Sequence, residues 1–246
     1  MSIYLSPKKI LRWLCWTIAS LVILCLVGMV FQYLIGDFYL EHSLQWLTNL
    51  DEKNSITNWY STSALFLCSL LFLILACADY PVRHDYKNHW GVLAFCFLFF
   101  SLDKSAEIHH SIKHDLLYRL PKSFDVSEIF LILLSCCLLF VVGLLYKRFF
   151  YELPKQTQRL FLISGFVIVT GNFGIGTIGQ QVFQGDGHVR SIGNLVLLTE
   201  ELCEMMGITI LIYALISHIG LYTDQINVRF RYGLTRRPAE SGKYWR

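Results

Sequence analysis

Six stretches of the chain are predominantly apolar, at about residues 10–34, 59–80, 89–112, 126–148, 159–182 and 192–219. None alternates polar with apolar positions as a barrel strand would, and each is long enough for a helix to cross a hydrocarbon core about 30 Å thick. Backbone groups in lipid must find hydrogen-bond partners within their own segment, so runs of this kind fold as helices. The pattern predicts an all-α polytopic membrane protein, a bundle of six transmembrane helices forming one integral domain over residues 1–246, with residues 220–246 as a basic tail.

The polar interruptions are concentrated. In the third segment, "FFSLDKSAEIHHSI" places Asp103, Lys104, Glu107, His109 and His110 in what begins as a membrane run. Asp103, Glu107, His110 and His114 are spaced four, three and four apart, which puts them on one stripe of a helix. In the sixth segment, "LLTEELCEMMGITI" places Glu200, Glu204 and Gly207 on one stripe, with Glu201 on a neighbouring face. Lys104 lies beside the first stripe and reads as a pairing residue.

Orientation follows from the loops. With the amino terminus in the cytoplasm, the inside segments hold 15 of the 21 Lys and Arg residues, including Lys8, Lys9 and Arg12 and six in the tail from Arg229 to Arg246. Cytoplasmic loops carry such an excess, so both termini are expected inside, in the inner membrane if the source is bacterial. The first segment is too long for a signal-peptide core and has no small-x-small cleavage site, so it reads as an uncleaved helix. In this topology Asp103 and Glu107 lie about nine and five residues below the outer end of helix three, and Glu200 and Glu204 about eight and twelve below that of helix six. At about 1.5 Å per residue these depths are similar.

Helix five ends "TGNFGIGTIGQQ", where Gly171, Gly174, Gly176 and Gly179 allow close helix approach and Asn172, Thr177, Gln180 and Gln181 offer hydrogen-bonding groups. Helix two begins "TNWYSTS", adding Asn58, Tyr60, Ser61, Thr62 and Ser63. Together these residues predict a polar chamber open to the outer face. The first outer loop, residues 36–55, carries Leu40, Leu44, Leu47 and Trp46, the pattern of an interfacial amphipathic helix or of one that docks a membrane-protein partner.

Composition narrows the chemistry. Only 16% of residues are charged and 54% are hydrophobic, against about 25% charged in a soluble domain. The eight cysteines all fall in apolar segments without a Cys-x-x-Cys pair, so neither disulfides nor a thiolate metal site is expected. The basic tail fits anionic lipid rather than nucleic acid. There is no glycine-rich phosphate loop, nucleophile triad or soluble catalytic domain, and the residues name no enzyme activity.

Four readings of the carboxylate and histidine stripes compete. A charge near a helix centre costs about 2.5–3.5 kcal/mol to insert, so several carboxylates must be hydrated, protonated, paired or metal-bound. Asp103, Glu107, His110, Glu200 and Glu204 are the candidate divalent-metal donors, since Glu107-x-x-His110 has the spacing of carboxylate di-iron helices. The second stripe lacks the histidine that would complete such a centre. The same residues suit a proton or cation path in a transporter or a membrane redox enzyme, with His110 relaying or ligating. They also suit an ion-pair network in a structural or assembly subunit, with Lys104 as counter-charge. Haem, with His89 and His218 as axial ligands at the cytoplasmic ends of helices three and six, is the weakest of the four.

"NLDEKNSITNWYSTSALFL", "FFSLDKSAEIHH" and "TEELCEMMG" together resemble a family of bacterial multi-pass membrane proteins without a characterised activity. The resemblance implies an acidic residue where Lys104 stands and a His-Glu pair near His110. The chain departs from both, with Lys104 and His110-Ser111, which weakens a carboxylate-rich metal centre. It implies no substrate.

Overall fold

The structure is a computed structural model, and it describes residues 6–35, 55–77, 86–106, 108, 143–171 and 188–222. These form six helices and no strand: α1 (Pro7–Ile35), α2 (Ile56–Cys77), α3 (Lys87–Ala106), α4 (residues 143–152), α5 (Lys155–Val169) and α6 (His188–Tyr222). Three contain stretches long and apolar enough to cross a membrane, Pro7–Phe31, Ile56–Cys77 and Gly193–Leu221, and they point to a membrane protein. The apolar run of α3, from Trp90 to Leu102, is shorter.

Local chemistry sets the helix starts. Ser55 caps α2: its Oγ accepts the Asn58 N–H at 3.4 Å and its carbonyl accepts the Trp59 N–H at 3.2 Å. Pro7 opens α1 at a position whose N–H would have no helical partner. Between α4 and α5 only Leu153 and Pro154 intervene, where the sequence suggests a longer link from 149 to 158. The Gln158 side chain explains the tight turn, because its Nε2 donates to the carbonyls of Tyr151 and Leu153 at 3.1 and 2.8 Å.

The centre of the bundle is α6, which packs against α1, α2 and α5, while α2 also packs along α3. A helix that is apolar all round belongs in an interior, and α6 is buried on nearly every face from Glu204 to Ile219. α1 behaves oppositely. Its inward positions recur at Leu11, Leu14, Ile18, Leu21 and Cys25, a seven-residue repeat that fits one seam, while Trp13, Trp16, Ile23 and Val30 face outward.

Water-driven burial does little between helices in lipid, so packing and hydrogen bonds between helices hold such bundles together. α2 and α3 run antiparallel, tied by Ser69 Oγ donating to Ala94 O at 2.8 Å and Ser101 Oγ to Thr62 O at 3.0 Å. α5 and α6 also run antiparallel. Ser164 Oγ donates to Gly207 O at 2.7 Å, and Thr157 Oγ1 meets His218 Nδ1 at 3.3 Å. Their crossing requires glycine: a Cβ on Gly171 would lie 2.7 Å from Cys203 Cβ, and one on Gly207 would collide with Ile168 Cγ1.

Between Thr209 and His218 the interior is an apolar layer. α6 supplies Leu211, Ile212 and Leu215, and α2 supplies Cys68, Leu71 and Phe72, all buried. Phe72 sits among the rings of Trp90, Phe97 and Phe161, with centroids 5.9, 5.0 and 6.4 Å away. This layer separates two polar levels on α6, one at Glu204 to Thr209 and one at His218.

Candidate functional site

The last turn of α3 and the middle of α6 meet through Lys104. Its Nζ donates to both carboxylate oxygens of Glu204, at 2.7 and 2.6 Å, and lies 3.8 Å from Glu201 Oε1. The Lys104 side chain is 20% exposed, that of Glu204 11% and that of Glu201 21%, so the group is largely removed from solvent. Close together on α6, the half-buried Glu200 and Glu201 and the buried Glu204 share this one ammonium electrostatically. Three carboxylates facing one cation carry an excess of negative charge when all are ionised.

Why the residues converge is local. Ser101 and Lys104 are three apart on α3, so the turn that hydrogen-bonds to α2 also carries the lysine towards α6. On α6, Glu204 shares its stripe with Glu200 and Gly207, and the closeness of α5 at Gly171 and Gly207 holds that stripe against a neighbour. Gly171 stands in a wider, π-type turn that ends α5 beside the Glu200 carbonyl. One Glu201 oxygen, Oε2, is buried and makes no hydrogen bond among the described residues.

Polar groups continue below. Tyr60 OH and Thr209 Oγ1 are 3.0 Å apart, linking α2 to α6, and Ser61 is fully buried with its Oγ lacking a hydrogen-bond partner among the described residues. An unpaired buried hydroxyl is costly unless something unseen satisfies it.

Among the residues expected from sequence, Lys104, Glu204 and Glu200 come together, with Glu204 the directly paired carboxylate. Asp103 is half-buried on α3 and has interactions of its own. Glu107, His110 and His114 lie outside the described residues, as do Asn172, Thr177, Gln180, Gln181, the first loop from 36 to 54, and the tail from 223. Sequence spacing assigned Glu201 to a neighbouring face, yet it joins the cluster. The usable signal lies outside the stripe: α6 carries apolar residues on every face, so more than one of its faces can turn inward.

Among the described residues no group of three or more His, Cys, Asp or Glu is arranged to hold a metal ion. The six described cysteines, Cys15, Cys25, Cys68, Cys77, Cys96 and Cys203, are free thiols. The two histidines considered for haem are packed by aromatic rings at the far end of the bundle. His89 stacks on Phe149 with centroids 5.4 Å apart, and His218 lies 5.4 Å from Trp90.

Residues 14–219 match the family described as a domain of unknown function, DUF8692. The chain belongs to this family. The match to DUF8692 runs from α1 into the last turn of α6 and takes in Lys104, Glu201 and Glu204. No curated protein and no solved structure matches the chain. The DUF8692 description carries no activity, so function is argued from the site.

Proposed function

We propose that the protein is a multi-pass membrane protein that exchanges protons or a small cation at an intramembrane site centred on Lys104, Glu201 and Glu204. The observation that carries this reading is the imbalance at the site. Lys104 satisfies Glu204 through both oxygens, while Glu201 is held 3.8 Å from the same ammonium with its second oxygen buried and unpaired. An excess carboxylate in a desolvated setting has to bind a proton or cation, and intramembrane carboxylates serve proton and ion paths by default.

The topology in this reading is six spans with both termini in the cytoplasm, from the distribution of Lys and Arg. In that topology the helical spacing of Asp103, Glu107 and His110 and the depth of Glu200 are the grounds for an outer approach to the site. Whether the exchange drives transport or membrane redox chemistry, and whether a divalent metal is the cation taken up by Asp103, Glu107, His110, Glu200 and Glu204, follows from what the site binds.

A second reading is favoured by the Lys104–Glu204 geometry itself: a helix-packing ion pair in an assembly subunit of a membrane complex. An isolated pair has that shape, but it gives no role to Glu201.

The deciding experiment uses purified protein in liposomes loaded with a pH-sensitive dye. Glu201→Gln is expected to abolish proton or cation flux while the protein still elutes as a folded species. Equal flux in wild type and Glu201→Gln, or no flux above protein-free liposomes under any cation gradient, overturns the exchange reading. Elemental analysis of the purified protein separately decides the metal.

A further inference from the structure

The outward face of α1 has a chemistry of its own. Lys8, Arg12 and Trp16 are four apart and form one ridge, and Lys9 and Trp13 form the ridge beside it. All five are exposed, Trp13 at 74% and Trp16 at 69%. No acidic residue stands in the first turn of α1, and none of the three cations is paired with a carboxylate among the described residues.

The order along the helix matters. Along each ridge the indole follows its cations by one to two turns, about 6–12 Å of rise, which is the step from the phosphate level of a leaflet to its upper acyl chains. Tryptophan is enriched at that level, and long basic side chains reach back to the headgroups. Beyond Trp16 the face continues as Ile23, Val27 and Val30, all exposed, for on the order of 20 Å. A free phosphate would engage only the cations, whereas a charged head joined to a long apolar body matches the whole face.

We propose that this face of α1 is a docking surface for an anionic phospholipid, its phosphate held by Lys8, Lys9 and Arg12 and its acyl chain laid along Trp13 and Trp16. The proposal rests on Pro7–Phe31 being a membrane span and is independent of the Lys104 site.

The test is native mass spectrometry of the full-length protein in detergent with equal amounts of phosphatidylglycerol and phosphatidylcholine. The wild type is expected to retain the anionic lipid preferentially. Each cation near an anionic surface contributes about fivefold, so the triple variant Lys8→Gln/Lys9→Gln/Arg12→Gln should lower that preference by at least about tenfold. The basic tail is present in both proteins, so the difference reports α1 alone. Trp13→Leu/Trp16→Leu should shorten retention of the lipid and, with brominated-chain phosphatidylglycerol, remove part of the tryptophan quenching. Equal retention of the two lipids by wild type, or an unchanged preference in the triple variant, overturns the proposal. Failure of the protein to co-float with neutral phosphatidylcholine vesicles would instead overturn the membrane span beneath it.

Discussion

Lys104 and Glu204, a hundred residues apart in sequence, are joined by two short hydrogen bonds from one ammonium to both oxygens of one carboxylate. Removing one partner leaves the other buried without compensation, which typically costs about 3–5 kcal/mol. Lys104→Met and Glu204→Met are each expected to lower the thermal midpoint in detergent strongly. The double variant should regain most of the loss, because an apolar pair of similar volume needs no desolvation. Additive losses in the double-mutant cycle would sink the pairing.

Glu201 should behave differently. It is not the direct partner of Lys104, so Glu201→Gln is expected to keep the thermal midpoint near that of wild type while changing the carboxyl absorption seen by difference infrared spectroscopy on changing pH. Glu204→Gln, in contrast, should move stability and spectrum together.

The α5–α6 crossing predicts a sharp ranking among glycines. Gly171→Ala and Gly207→Ala force contacts with Cys203 and Ile168 and should each destabilise by about 1–3 kcal/mol, the usual cost of overpacking. Gly165→Ala, on the same helix but with nothing within 4 Å of its added methyl, should be neutral or slightly stabilising. Unfolding in a graded denaturing detergent measures all three, and a Gly207→Ala protein as stable as Gly165→Ala would contradict the crossing.

Ser164 and Tyr60 provide a milder test. Ser164→Ala removes the bond to Gly207 O, and Tyr60→Phe removes the one to Thr209; bonds of this kind between membrane helices average about 0.6 kcal/mol. Both variants should fold, with midpoint shifts clearly smaller than those of Lys104→Met.

Much of the helical order could be read from hydropathy. Among the described residues each apolar run overlaps a helix, the fourth only at 143–148, and three of these helices are long and apolar enough to cross a membrane; two edges have local reasons, since Ser55 starts α2 at Ile56, ahead of the apolar run, and the Gln158 side chain permits the tight turn at Leu153–Pro154. The stripe argument also found Glu200 and Glu204 and identified Lys104 as a counter-charge. It could not place Glu201, because helical spacing describes one helix at a time, whereas a helix enclosed by three neighbours has more than one inward face. Spacing leaves open which carboxylate Lys104 meets: its four-carbon stem carries the ammonium to Glu204 on α6, and side-chain length is invisible to a pattern of polar and apolar positions.

The apolar layer between Thr209 and His218 has an electrical consequence. Nine residues of helix correspond to about 13 Å, a large part of a hydrocarbon core. With the bundle in a polarised membrane, most of the voltage falls across such a dry, weakly polarisable stack around Phe72, Ile212 and Leu215. The Lys104 cluster is then held near the potential of one aqueous phase, and its occupancy should respond little to voltage. Any charge carried past Phe72, by contrast, would traverse most of the field and feel about 2.3 kcal/mol for each 100 mV.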